Sequence, residues 1–190
     1  MGALFDPDRR MAIWTVGHST HPLEAFLAIL KTYEIERLAD VRTIPRSRRN
    51  PQFNAETLGP ALGERDLDYQ PLGELGGLRR PRKDSVNLGW RNEGFRGFAD
   101  YMATPAFEEG LARLLALGRA RRTAIMCAEA VPWRCHRSLI ADALLVRGVE
   151  AIEILSATSS RPHRLTPFAR VEGTSITYPG EGSLSIPPSP

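Results

Sequence analysis

A single α/β domain, built on an open, mainly parallel five-stranded sheet flanked by helices, is the fold that this 190-residue chain predicts. Two observations predict it. Short apolar runs that suit buried strands alternate with segments whose apolar residues recur every three to four positions, giving the order β-α-β-α-β-α-β-α-β. No Asn-Gly hairpin turn joins successive strands. Alternation of this kind implies parallel strands with right-handed helical crossovers, a Rossmann-like layout.

Met11 to Val16 reads as the first strand and ends at Gly17-His18-Ser19-Thr20-His21. Pro22 opens a helix over Leu23 to Tyr33, where Leu23, Phe26, Leu27 and Leu30 share one buried face. Ile35 to Val41 is the second strand, a basic loop covers Arg42 to Asn54, and Ala55 to Arg65 is helical. Asp68 to Leu72 is the third strand and runs into Gly73-Glu74-Leu75-Gly76-Gly77. The insertion from Leu78 to Gly94 is too charged for core and longer than an ordinary connection, which marks it as functional or disordered. Phe95 to Met102 and Pro105 to Leu117 read as two helices or one interrupted helix. Thr123 to Met126 is the fourth strand, Leu139 to Leu145 a helix, and Glu150 to Leu155 the fifth strand. Beyond Ser156 the periodicity is lost. Arg161 to Phe168 carries enough apolar and basic residues to pack back over the domain, and Ser175 to Tyr178 suits a short edge strand. The domain therefore spans 11–179, between an N-terminal extension over 1–10 and a disordered tail over 180–190.

The length suits one domain with a sizeable core. No apolar run approaches the roughly 20 residues that cross a bilayer, and the start, with Asp6, Asp8, Arg9 and Arg10, lacks the apolar stretch of a signal peptide. A cytoplasmic protein with no membrane partner is expected. Two cysteines are too few for a disulfide scaffold; in a reducing compartment they point to metal, catalysis or burial. The net charge is only +3, yet 23 of the 25 basic residues are arginine, the exceptions being Lys31 and Lys83. A GC-rich coding sequence produces that skew everywhere, but arginine is also the better bidentate ligand for phosphate. Arg42, Arg46, Arg48 and Arg49 cluster in one loop, and Arg79, Arg80, Arg82 and Lys83 in another.

Chemistry concentrates in Cys127-Ala-Glu-Ala-Val-Pro-Trp-Arg-Cys135-His136-Arg137, between the fourth strand and its helix. In an open parallel sheet, ligands bind outside the carboxyl ends of the strands, where such loops gather. With Pro132 near the first helical position, Arg134 to Arg137 would form the first turn. Free N–H groups and the helix dipole there favour an anion and lower a thiol pKa, which makes Cys135 the better thiolate candidate. His136 shares the inward stripe of Ile140 and Leu144. Cys127 reads either as a small residue closing the strand or as a member of the site. Asp40 and Arg42 lie on one face of their strand and can pair.

Several blocks together resemble the DUF488 family: Thr15-Val16-Gly17-His18-Ser19, Asp40-Val41-Arg42 with Pro45 and Ser47, Leu72 to Gly77, the Phe98 to Met102 helix, and Cys127-Ala-Glu129 followed by Cys135-His136-Arg137. Their order and spacing hold over roughly residues 13 to 179. The resemblance implies an α/β fold and a shared site, with no reaction attached. Every block falls at a strand end on the same sheet edge, which implies one polar pocket.

The expected function is a cytoplasmic enzyme that hydrolyses or transfers a group on a phosphate-bearing or nucleotide-like substrate bound in that pocket. Glu129 and Glu74 are the acid/base candidates, Cys135 the nucleophile candidate, and Cys127 and His136 complete the catalytic set. His18, Ser19, Asp40, Arg42, Ser47, Gly76, Gly77 and Arg137 are expected to bind a small anionic or phosphorylated ligand. No cofactor is required by these residues. Two alternatives stand beside this. Arg46, Arg48, Arg49, Arg79, Arg80 and Arg82 could form a phosphate track for nucleic acid, with Trp90 and Trp133 as stacking surfaces. Cys127, Cys135 and His136, with His18, could serve metal or redox chemistry, although seven residues between the cysteines is looser than usual zinc spacing.

Overall fold

Five parallel strands of the sheet are the five that periodicity picks out, and a sixth joins them at one edge. The computed structural model describes residues 11–180. The 1–10 extension and, apart from Gly180, the 180–190 tail lie outside the described residues. β1 (Ala12–Gly17) pairs in parallel with both β4 (Thr123–Cys127) and β5 (Glu150–Ser156). β2 (Arg37–Asp40) lies between β4 and β3 (Asp68–Pro71), also in parallel. The addition is β6 (Ser159–Pro162), antiparallel to β5, so the order is β3-β2-β4-β1-β5-β6. Its exposed sequence, Ser-Ser-Arg-Pro, has no apolar alternation to announce it. Ser175 to Tyr178 does not join this sheet as an edge strand. Instead β8 (Ser175–Thr177) forms a separate two-stranded ribbon with β7 (Arg170–Glu172).

Helices cover both faces, and the two-residue period of each strand divides the side chains between them. On one face Trp14, Val16, Leu38, Ala124 and Met126 pack against α1 (Leu23–Thr32) and α2 (Ala55–Gly63) through Phe26, Leu30, Leu58 and Leu62. On the other, Ile13, Ala39, Val41, Ile125 and Cys127 meet α3 (Glu93–Tyr101), α4 (Pro105–Ala120) and α5 (Arg137–Leu145) through Phe98, Leu114, Leu139 and Leu144. Cys127 shares a face with Ile125, and that alternation aims its thiol at the start of α5. The 95–117 region resolves into two helices, each with a side-chain N-cap: Asn92 accepts from Phe95 N–H and Thr104 from Phe107 N–H.

The insertion has no regular structure over 78–92, its last two residues, Glu93 and Gly94, being the start of α3, yet one buried carboxylate ties it down. Asp100, 7% exposed, accepts from the Arg82 N–H (2.8 Å), the Ser85 hydroxyl (2.6 Å) and the Asn87 amide (2.8 Å). Asn87 passes the connection on by accepting from Tyr178 N–H at 2.8 Å. The residues after β6 fold back in a similar way. His163, 9% exposed, sits between Asp142 on α5 and Glu153 on β5, 2.8 Å from each, and the Tyr178 hydroxyl donates to the other Asp142 oxygen. Burial alone would push the His163 pKa down, but the two carboxylates carry it up to about 9.

Two predictions follow from these anchors. Asp100→Ala leaves three buried or half-buried donors unpaired and should cost about 3 kcal/mol in urea unfolding, with proteolytic nicking appearing between Arg82 and Leu88. Nicking and stability identical to wild type would remove Asp100 as the anchor. Because His163 binds its proton more tightly folded than unfolded, its stabilisation is complete below about pH 6.5 and is lost as pH rises towards 9. The urea midpoint should fall across that window, and the fall should be much shallower in His163→Phe.

Candidate active site

The carboxyl ends of β1, β2 and β4 meet at one edge, and two adjoining chambers open there. The first, about 270 Å³, is lined by His18, Ser19, Arg42, Arg46 and Ser47 among others. The second, about 350 Å³, is lined by Gly77, Arg134, Cys127, Cys135 and His136 among others. Arg42, Ile44, Ala128 and Glu129 belong to both. Among the described residues Glu129 is the one carboxylate in either lining, beside Arg42, Arg46 and Arg134.

Backbone pairing sets this edge. Beyond β1 the ladder continues, with His18 N–H donating to Cys127 C=O and Ser19 N–H to Ala128 C=O, both at 3.0 Å. Ser19 adopts φ +47°, an uncommon conformation for a residue with a side chain and a sign of an over-determined turn. Gly17 is required where it stands, since a Cβ would overlap the Glu129 carbonyl and approach Arg137 Nη2 to 2.9 Å. Gly77 plays the same part for His136, whose ring lies directly on its Cα.

In the first chamber Arg42 is held from all sides. Asp40 accepts from Arg42 Nε (2.8 Å) and Nη2 (2.6 Å), and also from the Tyr69 hydroxyl (2.6 Å). Phe53 C=O accepts a further bond from Arg42 Nη2 at 2.7 Å. His18 stacks on Phe53 with ring centroids 4.2 Å apart, and its Nε2 accepts from Arg42 Nη1 at 3.2 Å. Burial first, and then the Arg42 charge, lowers the His18 pKa to about 4, so the imidazole is neutral at neutral pH. The guanidinium charge of Arg42 is thus largely spent on Asp40.

The second chamber ends on sulfur. The sulfurs of Cys127 and Cys135, 4% and 3% exposed, are in direct contact as a disulfide-like pair. Their Cα atoms are 7.7 Å apart, beyond the roughly 4.4–6.8 Å that a disulfide normally spans. Arg137, 1% exposed, donates from Nε to both sulfurs, at 3.1 Å to Cys127 and 3.4 Å to Cys135. Its Nη2 donates to Glu129 C=O at 2.6 Å, and its buried Nη1 has no partner. No carboxylate pairs with it among the described residues. Burial pushes its pKa down to about 10, which leaves it charged at neutral pH. His136 Nε2 faces Val41 C=O at 3.0 Å; a carbonyl can only accept, so this nitrogen carries the hydrogen and Nδ1 turns its lone pair toward Cys135 Sγ, 3.6 Å away. Burial lowers the His136 pKa to about 4. The charge that favours a thiolate is therefore Arg137 and not an imidazolium.

Several sequence expectations are displaced by this geometry. The α5 helix starts at Arg137 with His136 as its N-cap, while Pro132 opens a separate 3-10 turn over Pro132–Arg134; Cys135, in extended conformation, precedes the first helical turn. Glu74 lines neither chamber. Its carboxylate pairs with Arg113 on α4 at 2.7 Å, because the 3-10 turn Gly73–Leu75 faces that helix. Gly76 also stays out of the cleft, packed on Thr43. Asp40 and Arg137 stand one layer behind the walls, orienting Arg42 and the sulfurs. Among the basic loops, Arg46 pairs with Glu56 and Arg82 with Asp84, while Arg79 lies 3.7 Å over the Tyr101 ring and donates to Gly76 and Glu74 carbonyls. Arg48, Arg49 and Arg80 are exposed. Phe53 and Tyr69, which shape the first chamber, carry no pattern that marks them in the sequence.

Cys127, Cys135 and His136 also offer ligand atoms all within 4.8 Å of one another, a set suited to a soft metal. The Arg137 guanidinium already occupies the cationic role beside both sulfurs. No helix among the described residues is long and apolar enough to cross a membrane.

No curated protein and no solved structure matches this chain. The family model described as domain of unknown function DUF488 matches residues 22–144, which include α1 through almost all of α5 and both cysteines. With well over half of its length inside that match, the chain belongs to the DUF488 family.

Proposed function

We propose that this protein is an enzyme that acts by hydrolysis or group transfer on a phosphate-bearing or nucleotide-like substrate, with Cys135 as its nucleophile. The observation that carries the reading is Arg137, a buried guanidinium with no carboxylate partner whose Nε reaches both sulfurs. A buried cation costs several kcal/mol unless anions compensate it; the Glu153 and Glu129 charges act on Arg137 from outside its contacts, and with the cysteine pair reduced the groups in direct contact that can become anionic are the two thiols. At 3.4 Å a guanidinium stabilises a thiolate by on the order of 5 kcal/mol at an effective dielectric constant of about 20. Cys135 is favoured over Cys127 because only Cys135 has a hydrogen-bond acceptor, His136 Nδ1, beside it to orient its S–H; the proton itself leaves to solvent, since His136 is too weak a base to keep it.

In the reaction the Cys135 thiolate attacks the electrophilic centre of the substrate, the bond to the leaving group breaks, and the leaving group takes a proton from water. Glu129, exposed at the mouth of both chambers, removes a proton from a second water or an acceptor hydroxyl. That oxygen displaces the sulfur and returns the thiolate, and Glu129 passes its proton to the hydroxide left when the leaving group was protonated. Arg134 and Arg46 hold the phosphate. The Arg46–Glu56 pair, with side chains 73% and 56% exposed, is weak enough for a phosphate to replace Glu56.

The test is a turnover screen of nucleotides and phosphorylated metabolites, followed by variants on whatever substrate it finds. Cys135→Ser should lower the rate by roughly a hundredfold or more, and Glu129→Gln by a similar factor. Glu74→Gln, which faces Arg113, should stay within about twofold of wild type. Full turnover in Cys135→Ser, with no covalent intermediate in the wild type by intact-mass measurement, would sink the nucleophile assignment.

A further inference from the structure

The loop from β4 to α5 has two sides. One closes over the thiols, and the other presents Trp133, whose side chain is left 57% exposed. A single exposed aromatic group is ordinary, but Trp133 and Phe168 are both exposed on one cleft and together make an apolar patch. Trp133 forms one wall of a third cleft, of about 770 Å³, which shares no lining residue with the two chambers of the candidate active site. Phe168, 37% exposed, lies on the same cleft, and the Arg161 guanidinium stands 5.2 Å from the Trp133 ring centroid. Arg161 Nε donates to Glu153 while its guanidinium lies over one face of the Trp133 ring, which leaves the other face for a base, and the exposed Arg164 adds a second positive charge. The only carboxylate in the lining, Glu153, is already paired with Arg161 and His163.

We infer that this cleft binds the base and phosphate of a nucleotide, the base stacking on Trp133 and the phosphate meeting Arg161 and Arg164. The volume lies in the range of small-ligand sites. An indole face accepts any base by stacking, and a guanidinium accepts a phosphate bidentately. A neutral apolar ligand would leave the arginines unused, and a small anion without a ring would leave Trp133 in water. This site goes beyond the proposed reaction: it lies on the other side of the loop that carries Cys135 and is separate from the phosphate position at Arg134 and Arg46, so its failure and the failure of the nucleophile assignment are distinguishable. The same chemistry is offered by a free nucleotide and by a nucleotide within a single strand of nucleic acid.

The test titrates the intact protein with adenosine monophosphate, ribose 5-phosphate and a short oligothymidine strand, reading tryptophan fluorescence and strand anisotropy over a salt series. Adenosine monophosphate or the strand should bind, and Trp133→Ala should weaken that binding about tenfold or more, with Trp133→Phe retaining most of it. Arg164→Ala should weaken it further from wild type and reduce the salt slope by about one phosphate. A strand that binds more tightly than the mononucleotide identifies nucleic acid as the source; equal or tighter mononucleotide binding identifies the free nucleotide. Cys135→Ser should bind as wild type does, so full turnover in that variant counts against the nucleophile alone and leaves the binding result standing. Binding unchanged in Trp133→Ala, equal competition by base-free ribose 5-phosphate, or no binding of either base-containing probe would overturn the inference.

Discussion

A charged guanidinium is enclosed behind the carboxyl edge of the sheet, and the local structure is arranged around it. Arg137 opens α5 with its side chain 1% exposed, between a strand end and a loop that has to cross over it. Placing such a group costs several kcal/mol in desolvation. The molecule offsets that with one carbonyl, from Glu129, and with two sulfurs, leaving one nitrogen without a partner. A carboxylate in the place of the sulfurs would have been the ordinary structural answer. Sulfur is the more reactive neighbour for a buried cation, and the proposed function builds on that choice.

The surrounding residues keep that arrangement in register. Gly17 allows the Glu129 carbonyl to approach β1, and Gly77 allows His136 to lie flat against the turn after β3. The neutral His136 is oriented by Val41, on the next strand over, so three strand ends contribute to one thiol pair. The Asp40–Arg42–His18–Phe53 stack builds the other chamber from the opposite face of the sheet. The two halves meet because adjacent positions on a strand point to opposite faces, and Val41 and Arg42 supply one residue to each side. Further out, Asp100 and the Asp142–His163–Glu153 set fasten the irregular segments whose residues line the third cleft.

The layout of the sheet is readable from residue order alone. Most of the parallel strands are carried by apolar runs such as Thr123–Met126, with the Asp-Tyr-Gln-Pro of β3 the exception, and the crossovers between them follow from helical spacing. The strand ends then place His18, Arg42, Cys127 and Cys135 on one edge before any contact is known. What periodicity cannot supply is contact made by irregular backbone. β6 is written in four exposed residues, and His163 looks isolated in sequence because its partners lie 10 and 21 residues away on other elements. Glu74 illustrates the opposite error. It ends a strand at the right edge, but a 3-10 turn redirects its side chain to Arg113, a rotation invisible in a pattern of strand ends.

The central claim is that Arg137 holds a thiolate, and the direct measurement is the pH titration of the reduced protein by ultraviolet thiolate absorbance, beside Arg137→Gln. The account predicts that one thiol of the wild type ionises well below the ordinary cysteine value of about 8.5, and that this early ionisation disappears in Arg137→Gln while circular dichroism remains native. Both thiols of the wild type titrating at or above the ordinary value would contradict it.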